Sequence, residues 1–309
     1  MRIVFLGSGS FAIPSFEALI ASGHDVAALV TQPDREKGRG RALAPPPLKP
    51  VAQARHIPVL QPRRVRDPEA LQALRALAPE LQVVVAYGQI LPPGVIEIPP
   101  RGTVNVHGSL LPRYRGAAPI AWAIAGGETE TGVTTMLIDE GLDTGPLLLA
   151  RSTPIGPGET AAELEPRLAR LGAELLLETV RGLGEGLLRP QPQDHSLASY
   201  APLLKKEDGR IDWSVPADVL ARRVRGFNPW PGTDTLWQGR VLKVLRARPA
   251  SGGPGEPGTV VSVGREGLLV ACGPSTRLEL LEVQLEGRRP MGALAFSSGA
   301  RLHPGARFG

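Results

Sequence analysis

The sequence predicts an α/β protein: a doubly wound, Rossmann-like, mainly parallel sheet followed by a small OB-like β-barrel domain. Three observations carry that class. Short apolar runs rich in β-branched residues alternate with helical-period segments as far as Val180, the pattern of strands buried on both faces between crossover helices. From Gly182 to Pro202 the chain turns to Gly, Pro, Gln and Ser without periodicity. Beyond it, short strands separated by Gly-rich turns fill the remaining hundred or so residues, the grammar of a small barrel, with an SH3-like one as the alternative.

Taken in order, strands are expected over 2–6, 25–30, 57–60, 81–86, 102–106 and 132–138. Helices are expected over 13–21, 49–55, 68–77 and 117–125, where apolar residues recur at helical spacing. A long amphipathic helix over 161–180 follows Thr160, a residue suited to the N-cap. The second domain reads as a helix over 217–224 and strands over 233–237, 241–247, 259–263, 268–271 and 277–285. This gives a first domain over 1–188, a linker over 189–206 and a C-terminal domain over 207–309.

The 309 residues carry 35 Lys and Arg against 30 Asp and Glu, a net charge of +5. The excess is not uniform. Residues 1–188 hold 18 basic against 19 acidic groups, residues 189–206 three against one, and the remainder 14 against 10. Within the near-neutral first part, Arg35, Lys37, Arg39, Arg41 and Lys49 form a basic patch against only Asp34 and Glu36. An anionic partner and ordinary solvated surface both fit such a balance. The single cysteine, Cys272, excludes disulfide frameworks, CxxC redox chemistry and multi-cysteine zinc sites, and suits a reducing, cytoplasmic compartment. No apolar run approaches membrane-spanning length, and the five histidines lack metal-ligand spacing, so neither membrane nor metal is expected.

Gly7-Ser8-Gly9-Ser10-Phe11-Ala12 follows the first strand and opens a helix, and Asp34 stands near the place of a ribose-binding acid. A bound dinucleotide and a tight turn without one both fit. The densest stretch is N-V-H-G-S-L-L-P-R-Y-R-G, from Asn105 to Gly116. Asn105 and His107 are two apart on a strand, so they share one face at its carboxyl end, where open α/β sheets bind ligands. After the next strand, D-E-G-L-D-T-G from Asp139 to Gly145 brings Asp143, which either reaches the histidine or closes a turn on its own backbone. No activated nucleophile accompanies them. An amide donor for a developing oxyanion, an imidazole for proton transfer and a carboxylate to orient it suffice for moving a carbonyl group directly between two bound substrates.

These residues resemble a known family. The run from Asn105 to Pro119 and G-L-D-T-G (Gly141 to Gly145) resemble the folate-dependent formyltransferases. Thr31-Gln32-Pro33-Asp34-Arg35 with the following G-R-G-R, Val84-Val85-Ala86-Tyr87-Gly88, and Phe227-Asn228-Pro229-Trp230-Pro231 resemble the branch that acts on tRNA, and the likeness runs from Ile3 to about Leu285. The resemblance implies transfer of the formyl group of 10-formyltetrahydrofolate to the α-amino group of methionine on initiator tRNA, by a monomer without metal or nicotinamide. It places catalysis on Asn105, His107 and Asp143. It places folate on Ser109, Leu110, Leu111 and Pro112, and the pterin on the backbone of Gln89, Ile90 and Leu91. The loop over 34–48, with Arg35, Lys37, Arg39 and especially Arg41, is to reach the acceptor end of the tRNA. Lys205, Lys206, Arg222, Arg223 and Arg225 are the further phosphate contacts expected from the basic excess. Pro146 departs from the family, where an acidic residue commonly follows D-T-G. Three rivals stay open: a formyltransferase of small amines, a Rossmann dehydrogenase and a non-catalytic tRNA-binding protein.

Overall fold

A computed structural model describes residues 1–309 apart from 38–41, and for Lys37 the backbone alone. The described chain forms two compact units. The first comprises Met1–Pro119, Glu130–Pro154 and Glu165–Ala201, and the second Ile120–Thr129, Ile155–Leu164 and Pro202–Gly309. Two short segments from within residues 1–188, Ile120–Thr129 and Ile155–Leu164, group with the C-terminal residues.

In chain order the elements up to residue 184 are β1 (Arg2–Gly7), α1 (Ile13–Ala21), β2 (Asp25–Val30), β3 (Arg35–Lys37), β4 (Ala42–Ala44), α2 (Leu48–Ala54), β5 (Val59–Leu60), α3 (Pro68–Ala76), β6 (Leu81–Val85), α4 (Pro93–Ile96), β7 (Thr103–His107), α5 (Pro119–Gly126), β8 (Glu130–Leu137), β9 (Leu147–Pro154) and α6 (Ala161–Gly184). The first unit is built on a seven-stranded sheet of order β5-β2-β1-β6-β7-β8-β9. Its strands from β5 to β7 are parallel, and β8 and β9 are antiparallel at one edge. All five residues of β6 and the last five of β1 are buried, which is why these strands read as continuous apolar runs rather than alternating ones. The apolar pattern does not predict the edge strand β9. Its residues alternate in burial, and the preceding Thr-Gly-Pro masks its start as a turn. Chain order reverses between β1 and β6, so the turns after these two strands flank a topological switch point. Gly7 is required there, since a Cβ on it would lie 2.6 Å from the Phe5 ring and 3.0 Å from the Val85 carbonyl oxygen.

Residues 189–201, expected as linker, run along the first unit as a strap. Gln191 and Leu147 exchange backbone hydrogen bonds at 2.8 and 2.7 Å, and Ala201 N donates to the Arg115 carbonyl at 2.7 Å. Polar backbone pairing without hydrophobic period holds this segment, so a periodicity reading cannot see it.

The second unit contains α7 (Ala217–Gly226), β10 (Thr233–Trp237), β11 (Arg240–Ala250), β12 (Val260–Gly264), β13 (Gly267–Cys272), β14 (Thr276–Leu285), β15 (Met291–Gly292) and α8 (Ala293–Gly299). Its antiparallel sheet has the order β10-β11-β14-β13-β12, with β15 attached to β14. Leu220 and Val224 of α7 and Phe296 of α8 share one core with Leu242, Val244, Val270 and Leu280 of the sheet. Thr160 caps α6 as expected. Glu163 N donates to its Oγ1 at 3.4 Å, and the Glu163 carboxylate accepts from Thr160 N at 2.9 Å, a reciprocal capping box. No helix among the described residues is long and apolar enough to cross a membrane.

Candidate active site

β7 ends at the carboxyl edge of the sheet, beside the turn that follows β6. Asn105 and His107 share one face of it, as their spacing requires. Asp143 arrives from the loop after β8. That loop is organised by a different carboxylate: Asp139 Oδ1 accepts from Gly141 N at 3.0 Å and Thr144 Oγ1 at 2.7 Å. The turn-closing role considered for Asp143 thus belongs to Asp139, and the Asp143 carboxylate is turned to the other two residues.

The three groups converge. Asn105 Nδ2 lies 3.4 Å from Asp143 Oδ1, and His107 Nδ1 lies 3.7 Å from Asp143 Oδ2. The imidazole is buried, and its other nitrogen, Nε2, lies 2.9 Å from the Tyr114 carbonyl oxygen. A carbonyl oxygen only accepts, so Nε2 carries the hydrogen and Nδ1 is the nitrogen available for proton exchange. Asp143 therefore does not sit behind the ring, in series with it, as an orienting carboxylate usually does. It faces the same nitrogen that the ring has free. When the ring is neutral, a lone pair and a carboxylate oxygen converge on one space, an arrangement suited to a group that donates to both, such as an ammonium.

The backbone supports this geometry. Gly116 N donates to Asp143 Oδ2 at 2.8 Å. Gly116 has φ +116°, and a Cβ on it would stand 2.7 Å from the Ala201 carbonyl oxygen, so only glycine brings this amide to the carboxylate. Tyr114, which supplies the carbonyl to His107, is itself in the left-handed region at φ 60°, and its N–H donates to Ser199 Oγ at 2.9 Å. The strap thus holds the P-R-Y-R-G segment, and that segment holds the histidine. Sequence reasoning misses Gln193 and Ser199 of the strap, because no motif surrounds either residue.

The other expected site residues are placed as follows. Ser109 is fully buried and donates to the Arg113 carbonyl at 2.7 Å, closing its own loop, and Leu111 is buried. Leu110 and Pro112 keep partial exposure. Gln89 Oε1 accepts from Val65 N at 2.8 Å, Leu91 is buried, and Ile90 stands 88% exposed after β6. Arg35 is exposed and donates to Gln32 Oε1 at 3.0 Å. The side chain of Lys37, and Arg39 and Arg41 altogether, lie outside the described residues. Lys205 and Lys206 are exposed. Arg222, Arg223 and Arg225 are only partly so. Arg222 pairs with Asp218 at 3.1 Å, and Arg225 donates to the Glu159 carbonyl at 2.9 Å. Burial, with the neighbouring Arg222 charge, pulls the Arg225 guanidinium below its ordinary pKa.

The acid considered for a ribose is engaged elsewhere. Asp34 accepts both Lys49 Nζ (2.8 and 2.9 Å) and Gln61 Nε2 (2.6 Å), contacts that hold its carboxyl below the usual range. That leaves the dinucleotide reading without its distinguishing residue.

The sheet, the switch point and a site of amide, imidazole and carboxylate define a group-transfer protein of the formyltransferase class. Residues 1–180 match the formyl transferase family and residues 203–301 its C-terminal domain, and the chain belongs to that family. It is 55% identical over 307 residues to a methionyl-tRNA formyltransferase of Pelobacter propionicus, covering 99% of this chain and 96% of that protein. It is 53% identical over 309 residues to the enzyme of that name from Geobacter sulfurreducens, covering 100% and 97%. Among solved structures, an N-formyltransferase of Helicobacter canadensis in complex with folinic acid and dTDP-3-aminofucose has the same fold, with TM-score 0.68 at 17% identity over 91% of this chain and 98% of that one.

Proposed function

We propose that this chain transfers the formyl group of 10-formyltetrahydrofolate to the α-amino group of methionine esterified to initiator tRNA, giving N-formylmethionyl-tRNA for translation initiation, as a cytoplasmic monomer. One observation carries the reading: Asn105, His107 and Asp143 converge at the carboxyl edge of the sheet, in a chain 53–55% identical over its whole length to proteins named for that reaction.

The residues present fit a folate co-substrate. The site holds donors and a carboxylate but no activated nucleophile, so the formyl group must arrive already activated on a carrier. The exposed side chains of Ile90 and Leu142, in the loops after β6 and β8, offer apolar surface that a flat ring system can cover. When bound, 10-formyltetrahydrofolate supplies a formyl carbon open to attack by an amine.

The chain's own groups then divide the work. The amine of an aminoacyl ester enters as an ammonium for part of the time near pH 7. The space between His107 Nδ1 and Asp143 Oδ2 accepts it; the ammonium first loses one proton to solvent, and Nδ1 takes the second as the neutral amine attacks. The Tyr114 carbonyl keeps the tautomer that leaves Nδ1 free. The Asn105 side-chain N–H steadies the formyl oxygen as it gains negative charge. The proton held on His107 is returned to the departing folate nitrogen, so acid and base are the same ring. The exposure of Arg35, Lys205 and Lys206 supports contacts with phosphates of the tRNA, whose sequence-independent attraction is electrostatic.

The test is labelled formyl transfer from 10-formyltetrahydrofolate to charged initiator tRNA, with glycinamide ribonucleotide as competing acceptor. Label on the tRNA and none on the nucleotide is the expected result. Preference for the nucleotide would overturn the acceptor, and transfer to neither would overturn the reaction.

A further inference from the structure

Asp143 occupies a backbone conformation that a residue with a side chain adopts at a cost. Its φ is +52°, in the left-handed region, and such positions persist only where the surroundings over-determine them. One side chain supplies much of that determination. Gln193, buried in the strap, donates from Nε2 to the Asp143 carbonyl at 2.9 Å and to the Gly145 carbonyl at 2.7 Å. Holding two carbonyls two residues apart on one amide group fixes the turn between them, and so the direction of the side chain leaving Asp143.

The amide of a glutamine can face either way, and here its direction is set. Gln193 Oε1 accepts from Arg115 Nε at 3.1 Å and from Arg115 Nη2 at 2.6 Å. A guanidinium only donates, so the oxygen must face Arg115 and the NH2 must face the Asp143 loop. Arg115 is 2% exposed, and among the described residues its Nη1 also lies 3.2 Å from His195 Nδ1. Both of these partners are neutral acceptors when His195 is unprotonated. Burying a guanidinium on neutral partners is costly, and a fold can do without such a group. The residue after Arg115 closes the circuit, because Gly116 N donates to Asp143 Oδ2. The catalytic carboxylate is thus held at its backbone through Gln193 and at its oxygen through Gly116, with Arg115 joining the two.

We propose that Gln193 is a positioning residue for catalysis, fixing the Asp143 carboxylate against His107, and that Arg115 acts through it by setting the direction of its amide. Neither touches the substrates. The inference rests on Asp143 being catalytic, and its test separates the two claims.

Gln193→Met keeps the length of the side chain and removes both donor and acceptor. Displacing a reacting group by about an ångström costs on the order of a hundredfold, so a looser carboxylate should lower kcat by about tenfold or more. KM for folate and for tRNA should stay within about threefold, since Gln193 binds neither. A merely structural role would lower the rate by the same factor in any background, whereas a residue acting through Asp143 loses its effect once that group is gone. Placed on Asp143→Asn, Gln193→Met should therefore change kcat by less than about twofold. Where Gln193→Met does not give a folded protein, Gln193→Glu, which keeps an acceptor for Arg115, is measured in its place. Wild-type kcat in the folded variant, or an equal loss in both backgrounds, would overturn the proposal. Full activity in Asp143→Asn alone would overturn instead the catalytic assignment beneath it.

Discussion

The carboxyl edge of the first unit's sheet and the arginine-bearing face of α7 are both rich in polar side chains, and they use them in opposite ways. At the sheet edge the backbone ties His107 and Asp143 without turning them away from each other. His107 gives Nε2 to Tyr114 and keeps Nδ1, and Asp143 takes Gly116 on the same oxygen that faces the ring. On α7, Arg222 pairs with Asp218 one turn back on the same helix and Arg225 donates to the Glu159 carbonyl, both within their own unit. A count of charges therefore locates a partner poorly. A motif whose spacing forces groups onto one face locates a convergence of side chains well, because the backbone leaves them no other direction.

The largest effect should come from cutting a group at the sheet edge. Asn105→Ala and His107→Ala should each lower kcat by about 10²- to 10³-fold, the usual loss on removing a transition-state donor or proton acceptor, with KM for folate within about threefold. Steady-state kinetics at saturating tRNA checks this. Turnover near wild type in either variant would make the sheet edge no more chemical than α7.

A middle effect should invert between the two basic regions. Arg225→Ala removes a donor from a carbonyl inside the second unit and should destabilise by about 1 kcal/mol, seen as a lower Tm, while KM for tRNA moves less than about twofold. The double change Lys205→Ala and Lys206→Ala, at exposed positions, should leave stability within about 0.5 kcal/mol. It should weaken tRNA binding and lower the slope of log affinity against log salt by about one to two, roughly one for each phosphate no longer neutralised. An unchanged Tm with a raised KM in Arg225→Ala would return α7 to the tRNA surface.

Much of the first unit was legible because buried parallel strands and amphipathic helices repeat with fixed periods. Strands 25–30 and 233–237 and helix 13–21 fall where the pattern puts them. Asn105, His107 and Asp143 were legible for the same reason, two being on one strand face and the third in the loop of its neighbour. The strap was not. Its hold on the site is made of backbone pairs and two isolated polar side chains, Gln193 and Ser199, and composition reads those residues as a linker. The sense of the His107–Asp143 pairing was also hidden, since it depends on where the Tyr114 carbonyl points, which no residue type encodes.

The smallest effect concerns a charge for which the sequence left two roles open. Asp34 stands at the base of the hairpin formed by β3 and β4. The Gln61 amide first, and Lys49 second, hold its carboxyl below the ordinary value. A depressed carboxylate adds stability above its unfolded value, about pH 4, and that contribution is lost as pH falls through the folded value. Asp34→Asn should therefore lower Tm slightly at pH 7, less than Arg225→Ala does. The gap to wild type should narrow as pH falls below about pH 4 and through the folded value, beyond which both chains carry a neutral group at this position. Thermal melts of the pair across that range check it. A gap as wide at pH 2 as at pH 7 would mean that Asp34 acts by shape alone, and the contrast between a charge that is held and a charge that is merely counted would not extend to this hairpin.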